Sequence, residues 1–502
     1  MKKILIFTIL ASTFLISACS KFLEQSSQDL KRPTTVSHYK ELLQGESYFQ
    51  TFYTYGWFVD VMTDDVMTID PQCETEVFNE KAIYCKYAFQ WARDLENPEG
   101  TFKDNLFKHL YKNILTANTC LEALDDITGT DEEKNVLKGQ ASFIRAYAYF
   151  VLANLYAKPY NEASSADLCV PLMLATAPSL NSYPRATVQE VWDLISEDIA
   201  TAVECLSKDT EDRMCFEINY KSALILASRI FLYKEEYDKT IDYGETYISI
   251  SPELRDISSI TTSPKRSGTN TPTSFSSLLD NNEIAFTFSE ISSSTGSGTY
   301  LYYTSAMIAL TDICIGVSAD IEGALVNTYE ANDRRKTYWF ILPTGIPGDI
   351  LKYPNYSPGK LSYYDGTRFS QTMRTGEVYL NLAEAYARSD NPNNEKSLNY
   401  LNTLRSKRIA SYTYLTQADF GTQQNLIDFI WSERRRELCF EEFHRWWDLR
   451  RTGQPSITHT WMNDKYVLED HDPAYILNFP KEELEYNSLL IENERPDRNK
   501  IN

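Results

Sequence analysis

The stretch RRRELCFEEFHRWWDLRRTG, residues 434–453, combines dense charge with four aromatic rings, and its interpretation decides the fold. Six arginines stand there against four acidic residues, so the stretch nearly neutralises itself. The acidic residues are Glu437, Glu441, Glu442 and Asp448. A surface that binds phosphate groups needs an excess of lysine and arginine. The stretch is therefore not a nucleic-acid surface.

The spacing within this stretch predicts a helix with one face in the core. The residues that share this face are Phe440, Phe443 and Trp447, with Trp446 beside them. On such a helix Glu441 and Glu442 lie four and three residues before Arg445, within ion-pair reach. His444 has no second His, Cys or Ser at a catalytic spacing. We therefore interpret the stretch as scaffold.

Outward from this stretch, apolar residues three and four apart recur from about residue 102, which predicts a mainly α-helical protein. Capping boxes at Thr130/Glu133 and Thr187/Glu190 mark two helix starts. Two further helix pairs are predicted at 219–248 and 376–408, where small residues precede large ones. This order allows two helices to approach closely, as in tetratricopeptide-type hairpins. The predicted helical scaffold covers about residues 36–250 and 373–452.

An insertion between the two helical parts, about residues 251–372, is rich in Ser, Thr, Gly, Asn and Pro, which predicts loops. Within it NEIAFTFSE, residues 282–290, alternates like a short strand. The insertion is therefore loop-rich and partly β. Loops on a rigid scaffold commonly carry binding residues. With a C-terminal segment at 453–502, these parts are predicted to form one domain from residue 19 to 502.

The first residues are typical of a targeting segment. Lys2 and Lys3 precede an apolar run at 4–16 that is too short to span a bilayer. The run ends in Ile-Ser-Ala-Cys, which resembles a bacterial lipobox and predicts a signal peptide at 1–18 and lipidation of Cys19. The alternative is an ordinary signal peptide. Buried acyl methylenes contribute about 0.8 kcal/mol each, so several chains would hold the protein in a membrane.

Charge and cysteine usage narrow the function classes. The net charge of −21 argues against nucleic-acid partners. An exported chain could form disulfides, with Cys73/Cys85 and Cys205/Cys215 nearest in sequence, but the pairing stays open. No Cys or His spacing favours a zinc site. We therefore expect no cofactor.

An acidic run at residues 60–70 leaves structural calcium possible. Its carboxylates belong to Asp60, Asp64, Asp65 and Asp70. The run lacks the glycine and terminal glutamate of an EF-hand loop. A solvated turn is the simpler interpretation.

Several stretches together resemble the SusD/RagB family. They are WSERRRELCFEEFHRWWDLRRTG at 431–453, RTGEVYLNLAEAYAR at 374–388, LNTLRSKR at 401–408, LNFPKEELEYNSLLIEN at 477–493 and LYKNILTANTCLEAL at 110–124 with Asn118, besides the lipobox. The resemblance covers nearly the whole mature chain. In one departure, the family pattern usually carries a small residue where this chain has Phe443.

The resemblance implies a surface-exposed, lipid-anchored outer-membrane protein of Bacteroidetes-type bacteria, in which four tetratricopeptide-like helix pairs support a variable ligand-binding face. The implied partner is a SusC-like TonB-dependent transporter, and the implied ligand is an oligosaccharide or polysaccharide. A peptide ligand is the alternative. A surface glycoside hydrolase is a further alternative, but no local motif nominates its two carboxylates. We expect no enzymatic activity and name no catalytic residue.

Aromatic rings in loops are the candidate ligand contacts, because a ring can stack on the apolar face of a sugar. The 34 Tyr and 8 Trp supply many, but those at helical core spacing are set aside. The predicted contacts are Trp91, Tyr55, Trp57, Tyr300, Tyr302, Tyr303 and Trp339. Trp91 ranks first, since it lies where the family that this chain resembles often places a tryptophan in contact with glycan.

Overall fold

The computed structural model describes residues 33–68, 86–96, 102–176, 182–261, 282–290, 315–318, 324–341, 355–358, 369–461 and 463–500. The amino-terminal half of this described part is built of helices. They are α1 (Val36–Ser47), α2 (Phe52–Gly56), α3 (Phe58–Val61), α4 (Leu106–Ala123), α5 (Asp131–Tyr156), α6 (Val188–Leu206), α7 (Tyr220–Tyr233) and α8 (Tyr237–Ile250). A two-residue strand, β1 (Met67–Thr68), follows α3.

Strands interrupt the helices in the middle of the chain. They are β2 (Ile284–Glu290), β3 (Ile315–Ser318), β4 (Phe340–Ile341), β5 (Asn355–Pro358) and β6 (Phe369–Arg374), with a short helix α9 (Arg335–Tyr338) among them. β2 pairs antiparallel with β6, and a second sheet has the order β1-β3-β5-β4. The strand predicted at 282–290 is confirmed as β2.

Helices return after β6 and a hairpin closes the described fold. The elements are α10 (Thr375–Arg388), α11 (Asn394–Ser406), α12 (Gln423–Leu438), α13 (His444–Arg451), β7 (Ile457–Trp461), β8 (Asp464–Leu468) and α14 (Lys481–Tyr486). β7 and β8 pair antiparallel. The prediction of a mainly α-helical scaffold of helix pairs is confirmed.

Both predicted capping boxes are present at the starts of α5 and α6. The Thr130 backbone N–H donates to Glu133 Oε2 at 2.8 Å, and the Glu133 N–H donates to Thr130 Oγ1 at 3.1 Å. Thr187 and Glu190 exchange the same two bonds. These bonds satisfy N–H groups that have no partner within the helix. The sequence therefore marks these two helix starts directly.

Two glycines permit the close approach of neighbouring helices. A Cβ at Gly139 of α5 would lie 2.7 Å from Leu206 Cγ at the end of α6. A Cβ at Gly244 of α8 would lie 2.7 Å from Leu382 Cδ2 of α10. At distances below 3.0 Å the neighbouring leucine would have to shift, so glycine at these two positions allows α5 to pack closely on α6 and α8 on α10.

The prediction that the signature stretch, residues 434–453, forms one helix is wrong. α12 ends at Leu438 and α13 begins at His444, and the turn between them places Phe440 and Glu442 at φ 59° and 48°. This left-handed backbone is unfavourable for residues other than glycine. It is held in place by bonds that Glu441 and Glu442 make elsewhere in the protein.

The ion pairs predicted within the signature stretch are also wrong. Glu441 bonds Arg374, and Glu442 bonds Arg229. Arg445 bonds Asp64 instead, with 2.7 Å between Nε and Oδ1. The turn after α12 directs the two glutamates into the interior, where arginines from other elements neutralise them.

Candidate ligand-binding surface

The signature stretch contributes to a buried ionic network, as the scaffold interpretation requires. Arg374 at the end of β6 bonds three carboxylates, with N–O distances of 2.6 Å to Glu283, 2.7 Å to Glu437 and 2.9 Å to Glu441. All four side chains are at most 1% exposed. Since a lone buried charge is strongly unfavourable, these pairs fix the β2–β6 ribbon against α12 and the turn that follows it.

A second buried ionic cluster connects α7 with α10 and with the turn after α12. Arg229 bonds Glu377 at 2.6 Å and Glu442 at 2.7 Å, and the Tyr147 hydroxyl also donates to Glu442. Burial alone would raise the pKa of Glu442, but the Arg229 guanidinium outweighs it and lowers that pKa to about 2. Glu442 is therefore a charged structural group.

One cluster within the described residues has the composition of a metal site. Ligand atoms of Glu377, Glu442 and His444 lie within 4.8 Å of one another, and all three residues are buried. Both carboxylates are already bonded by Arg229, which a metal ion would have to displace. The donor set therefore fits an ion-pair cluster better than a metal centre.

The acidic run after α3 is not a simple solvated turn. Arg445 bonds Asp64 and Arg435 bonds Asp65, each with 2.7 Å between Nε and Oδ1. Asp60 is buried on α3, and Asp70 lies outside the described residues. Asp64 and Asp65, two of the four carboxylates considered for calcium, thus connect the segment after α3 to α13 and α12.

Trp91, the first-ranked candidate, is a core residue, which corrects that prediction. Its side chain is 0% exposed, and its indole Nε1–H donates to the Met62 carbonyl oxygen at 2.9 Å. The ring stacks on His459 with 4.1 Å between centroids and 21° between planes. A sugar needs an open ring face, and both the ring and its polar atom are already covered.

Trp57 and Trp339 are buried too, and we withdraw them as ligand contacts for the same reason. Trp57 is 4% exposed and lies edge-on to Phe102, with 6.0 Å between centroids. Trp339 is 0% exposed and lies within 6.0 Å of the guanidinium groups of Arg335 and Arg374. These rings support the scaffold.

Tyr55 is the one predicted aromatic contact among the described side chains that is only partly buried. Its ring stacks on His109 of α4, with 4.1 Å between centroids and 17° between planes. Thr51 Oγ1 lies 3.4 Å from His109 Nδ1 at the edge of a narrow cleft of about 90 Å³. Tyr300, Tyr302, Tyr303 and the lipidation candidate Cys19 lie outside the described residues.

A wider cleft of about 410 Å³ lies between the start of α4 and helix α14, and we refer to it as the Tyr486 cleft. Tyr486 is 77% exposed, more than any other large hydrophobic side chain in the described part of the chain. The other residues that line the cleft are Glu96, Phe102, Lys103, Asp104, Asn105, Lys108, Pro480, Lys481, Glu482, Glu483 and Glu485. An open tyrosine face surrounded by charged and amide groups suits a polar ligand with one apolar face.

Asp104 forms a buried part of the lining of the Tyr486 cleft. It is 7% exposed, and burial raises its pKa to about 6. Its carboxylate accepts from the Tyr156 hydroxyl at 2.6 Å and from the Leu106 backbone N–H at 3.0 Å. These bonds hold the chain at the start of α4, which carries Lys108 into the cleft.

Tyr486 is not among the ligand contacts predicted from the sequence, although it lies in the segment LNFPKEELEYNSLLIEN that carries part of the family resemblance. A usable signal was present, since Tyr486 stands between Glu485 and Asn487 in a polar run without helical apolar spacing. Such a tyrosine has no predicted core face to occupy.

Asn118, which the resemblance singled out, has a structural role. Its Nδ2 donates to the Met173 carbonyl oxygen at 2.8 Å and to that of Ala175 at 3.2 Å, and its Oδ1 accepts from Arg145 at 2.8 Å. These bonds attach the loop after α5 to the side of α4.

The cysteines and the hydropathy of the helices were also considered in the sequence predictions. Cys205 and Cys215 are both free thiols, and Cys73 and Cys85 lie outside the described residues. Among the described helices none has the length and apolar character needed to cross a bilayer.

Comparison with known families matches two parts of the chain. Residues 21–232 match a SusD-like family described as starch-binding and associating with the outer membrane. Residues 323–488 match the SusD family. The second match includes the signature stretch and the Tyr486 cleft wall at α14.

Relatives and solved structures agree with these matches. The chain is 24% identical to SusD-like protein P2 of Formosa agariphila over 76% of this chain and 78% of that protein. A SusD superfamily protein from Bacteroides thetaiotaomicron has a TM-score of 0.69 at 20% identity, covering 92% of this chain and 100% of the other. A SusD-like carbohydrate binding protein from Bacteroides vulgatus has a TM-score of 0.67 at 20% identity, covering 92% and 99%. The two family matches, with these relatives and solved structures, place the chain in the SusD/RagB family.

Proposed function

We propose that the protein binds an oligosaccharide or polysaccharide at the cell surface and passes it to a SusC-like TonB-dependent transporter. Members of the SusD/RagB family are nutrient-binding proteins associated with the outer membrane. The observation that carries the glycan ligand is the exposed ring of Tyr486 in a polar cleft beside the rigid helix α4.

The chemistry of the Tyr486 cleft matches that of a sugar. A pyranose ring has an apolar face that can lie on the tyrosine ring, and its hydroxyl groups both donate and accept hydrogen bonds. Carboxylates of Glu482 and Glu485 can accept from hydroxyls, while Lys108 can donate to them. The name of one structural relative, a SusD-like carbohydrate binding protein, supports the same ligand class.

Binding is tested by titrating the purified protein with a panel of polysaccharides and their oligosaccharides in a calorimeter. For a bound glycan we expect Tyr486→Ala to weaken affinity about tenfold or more, because a central aromatic contact contributes at least about 1.4 kcal/mol. Tyr414→Ala is the matched control, since Tyr414 is 62% exposed but outside the cleft. Equal losses in both variants, or no bound glycan with measurable affinity for a peptide mixture, would contradict the proposal.

We further propose that the protein binds its ligand without cleaving it. The family consists of binding proteins, and the clustered acidic residues of the scaffold are neutralised by arginines. Incubation of the protein with the polysaccharide it binds should release no new reducing ends. Release that continues through purification and is lost on a single carboxylate substitution would establish a glycoside hydrolase instead.

The lipid anchor and the transporter are separate parts of the proposal. Lipidation at Cys19 is supported by the lipobox-like Ile-Ser-Ala-Cys sequence that follows the apolar run. Metabolic labelling with an alkyne fatty acid should mark the wild-type protein and leave Cys19→Ala unlabelled. Affinity purification from detergent-solubilised membranes should recover a large β-barrel protein, and its absence under several mild detergents would count against the transporter.

A further inference from the structure

A second cleft, of about 670 Å³, lies next to the Tyr486 cleft, and we refer to it as the Arg495 cleft. Arg93 and Asp94 line this cleft, while Glu96 of the same short segment lines the Tyr486 cleft. The C-terminal segment supplies residues to both, with Asn478 in one and Lys481 in the other. Two segments thus contribute to both clefts, and Asp94 of the Arg495 cleft pairs with Lys481 of the Tyr486 cleft, with 3.5 Å between their charged atoms.

Arg495 is a buried cation without a carboxylate partner in the described structure. The residue is 7% exposed, and its Nη1 donates to the Ile476 carbonyl oxygen at 3.2 Å. Within the part of the chain that the structure describes, its Nε and Nη2 have no hydrogen-bond partner. Burial and the nearby charge of Arg498 lower the pKa of this guanidinium to about 10, and the more distant carboxylates offset this only in part.

The neighbouring Arg498 differs from Arg495 in having a carboxylate partner, although its Nε also has no hydrogen-bond partner among the described residues. Its Nη1 and Nη2 bond the two carboxylate oxygens of Asp472 at 2.8 Å and 2.9 Å. Asn478 adds a second unsatisfied group to the Arg495 cleft, since its Oδ1 lacks a partner among the described residues. The cleft thus combines free donors on a cation with a free acceptor.

We infer that the Arg495 cleft is a second subsite for the same glycan, and that it takes a sugar unit bearing a carboxylate. The Nε/Nη2 edge of a guanidinium forms two parallel hydrogen bonds with a carboxylate, the strongest pairing available to arginine. A sugar hydroxyl beside the carboxylate can donate to Asn478 Oδ1. This inference rests on the proposed glycan binding and names the ligand as an acidic saccharide.

Most of the acidic side chains that line the Arg495 cleft already have partners in the protein. Asp94 pairs with Lys481, and Asp497 pairs with Arg93 at 3.5 Å. Glu492 accepts from the backbone N–H groups of Phe479 and Asn493, and Glu494 is exposed, where water screens its charge.

Arg495 Nε and Nη2 are covered from water, so a carboxylate reaches them only when the groups that cover them move. The Arg93–Asp497 pair in the lining of the cleft is 64% and 77% exposed. Exposed ion pairs of this kind are weak, so little opposes their separation.

The test uses matched pairs of ligands. Oligosaccharides of galacturonate, glucuronate, mannuronate and guluronate are each compared with the same oligosaccharide after its carboxyl groups are reduced to alcohols. The full protein is titrated with each member in a calorimeter. We expect at least one acidic oligosaccharide to bind tenfold or more tightly than its reduced form, and Arg495→Met to reduce this ratio to below about threefold.

Two further variants protect the test from misfolding. Arg495→Lys keeps the charge but not the two parallel bonds, so it should retain an intermediate preference. Lys208→Gln removes an exposed cation that lines neither cleft and should change the ratio by less than about threefold. The thermal unfolding midpoint and far-ultraviolet circular dichroism of each variant establish that it is folded.

The outcomes separate this inference from the proposed function. If the reduced oligosaccharides bind as tightly as the acidic ones and Tyr486→Ala weakens both, glycan binding stands and the acidic subsite is wrong. A preference for the acid that survives Arg495→Met in a folded protein also overturns the subsite. Failure of every acidic and reduced oligosaccharide to bind overturns the inference and counts against the proposed function as well.

Discussion

The ring of Phe443 occupies the space that any side chain at position 56 would need. A Cβ at Gly56 would overlap the Phe443 ring and approach Leu106 Cδ2 to 3.2 Å. Phe443 also stacks on Phe52, with 4.7 Å between centroids and 29° between planes. The bulky residue at the start of α13, a departure from the small residue usual in the family pattern, is accommodated by a glycine at the end of α2.

We therefore expect Gly56→Ala to lower the free energy of unfolding by about 1–3 kcal/mol, the usual cost of overpacking a core. Phe443→Leu removes the far end of the ring and should relieve this overlap. The double variant should then be more stable than the sum of the two single changes predicts, by about 1 kcal/mol. Urea denaturation of the four proteins measures this coupling, and additivity within about 0.5 kcal/mol would show that the two positions are independent.

Arg374 is the residue whose loss should most damage the scaffold. Arg374→Met leaves the buried carboxylates of Glu283, Glu437 and Glu441 without a shared cation, although Arg408 still bonds the first two. Removing one partner from a buried pair costs about 3–5 kcal/mol. We expect a loss of this size in urea denaturation.

A matched exposed arginine provides the control for that loss. Arg93 is 64% exposed and bonds only a surface aspartate among the described residues. Arg93→Met should change the free energy of unfolding by less than about 1 kcal/mol, as for other exposed pairs. Similar losses in the two variants would mean that the buried network contributes no more than surface charge.

The helices were predictable because their signals are local. Thr187 and Glu190 are three residues apart, and their side chains alone mark the start of α6. The turn after α12 was not predictable in this way. Its two glutamates are held by Arg374 and Arg229, which lie 67 and 213 positions away in sequence. Local periodicity predicts a continuous helix there, and only the tertiary pairing breaks it.

The candidate site was harder to predict for a related reason. A tryptophan outside a helical pattern has the same sequence signature whether its ring is buried or open. The partner that buries Trp91 is His459, on a strand near the other end of the chain. The Tyr486 ring is exposed because no other part of the described structure packs on it. No local sequence pattern predicts that absence of packing.

Asp104 should make stability depend on pH between about pH 4 and pH 6. Its pKa is raised by burial to about 6, above the value near 3.8 of the unfolded chain. The folded protein therefore holds the proton more tightly, and this contribution to stability is present below about pH 4 and lost as the pH rises through 6. Asp104→Asn removes the titration.

The stability of the wild type relative to Asp104→Asn should accordingly fall by about 2–3 kcal/mol between pH 4 and pH 7, at about 1.4 kcal/mol per pKa unit. Urea denaturation at several pH values measures the difference. Glu482→Gln in the same cleft is exposed and serves as the control. A constant difference between wild type and Asp104→Asn would show that Asp104 is ionised in the fold as readily as in the unfolded chain.

Trp91 and Tyr486 should differ in what their loss changes, because one ring is in the core and the other is open. Trp91→Phe keeps a ring on His459 but leaves the buried Met62 carbonyl oxygen without its indole donor. We expect it to lower the free energy of unfolding by about 1–3 kcal/mol. Its affinity for any bound glycan should stay within about twofold of the wild type.

Tyr486→Ala should weaken glycan affinity and leave the free energy of unfolding nearly unchanged, since an exposed side chain contributes within about 0.5 kcal/mol to stability. Calorimetric titration measures the glycan affinity of both variants, and urea denaturation measures their free energy of unfolding. If Trp91→Phe keeps its stability and loses its ligand, the ring that the structure places in the core belongs to the binding site after all.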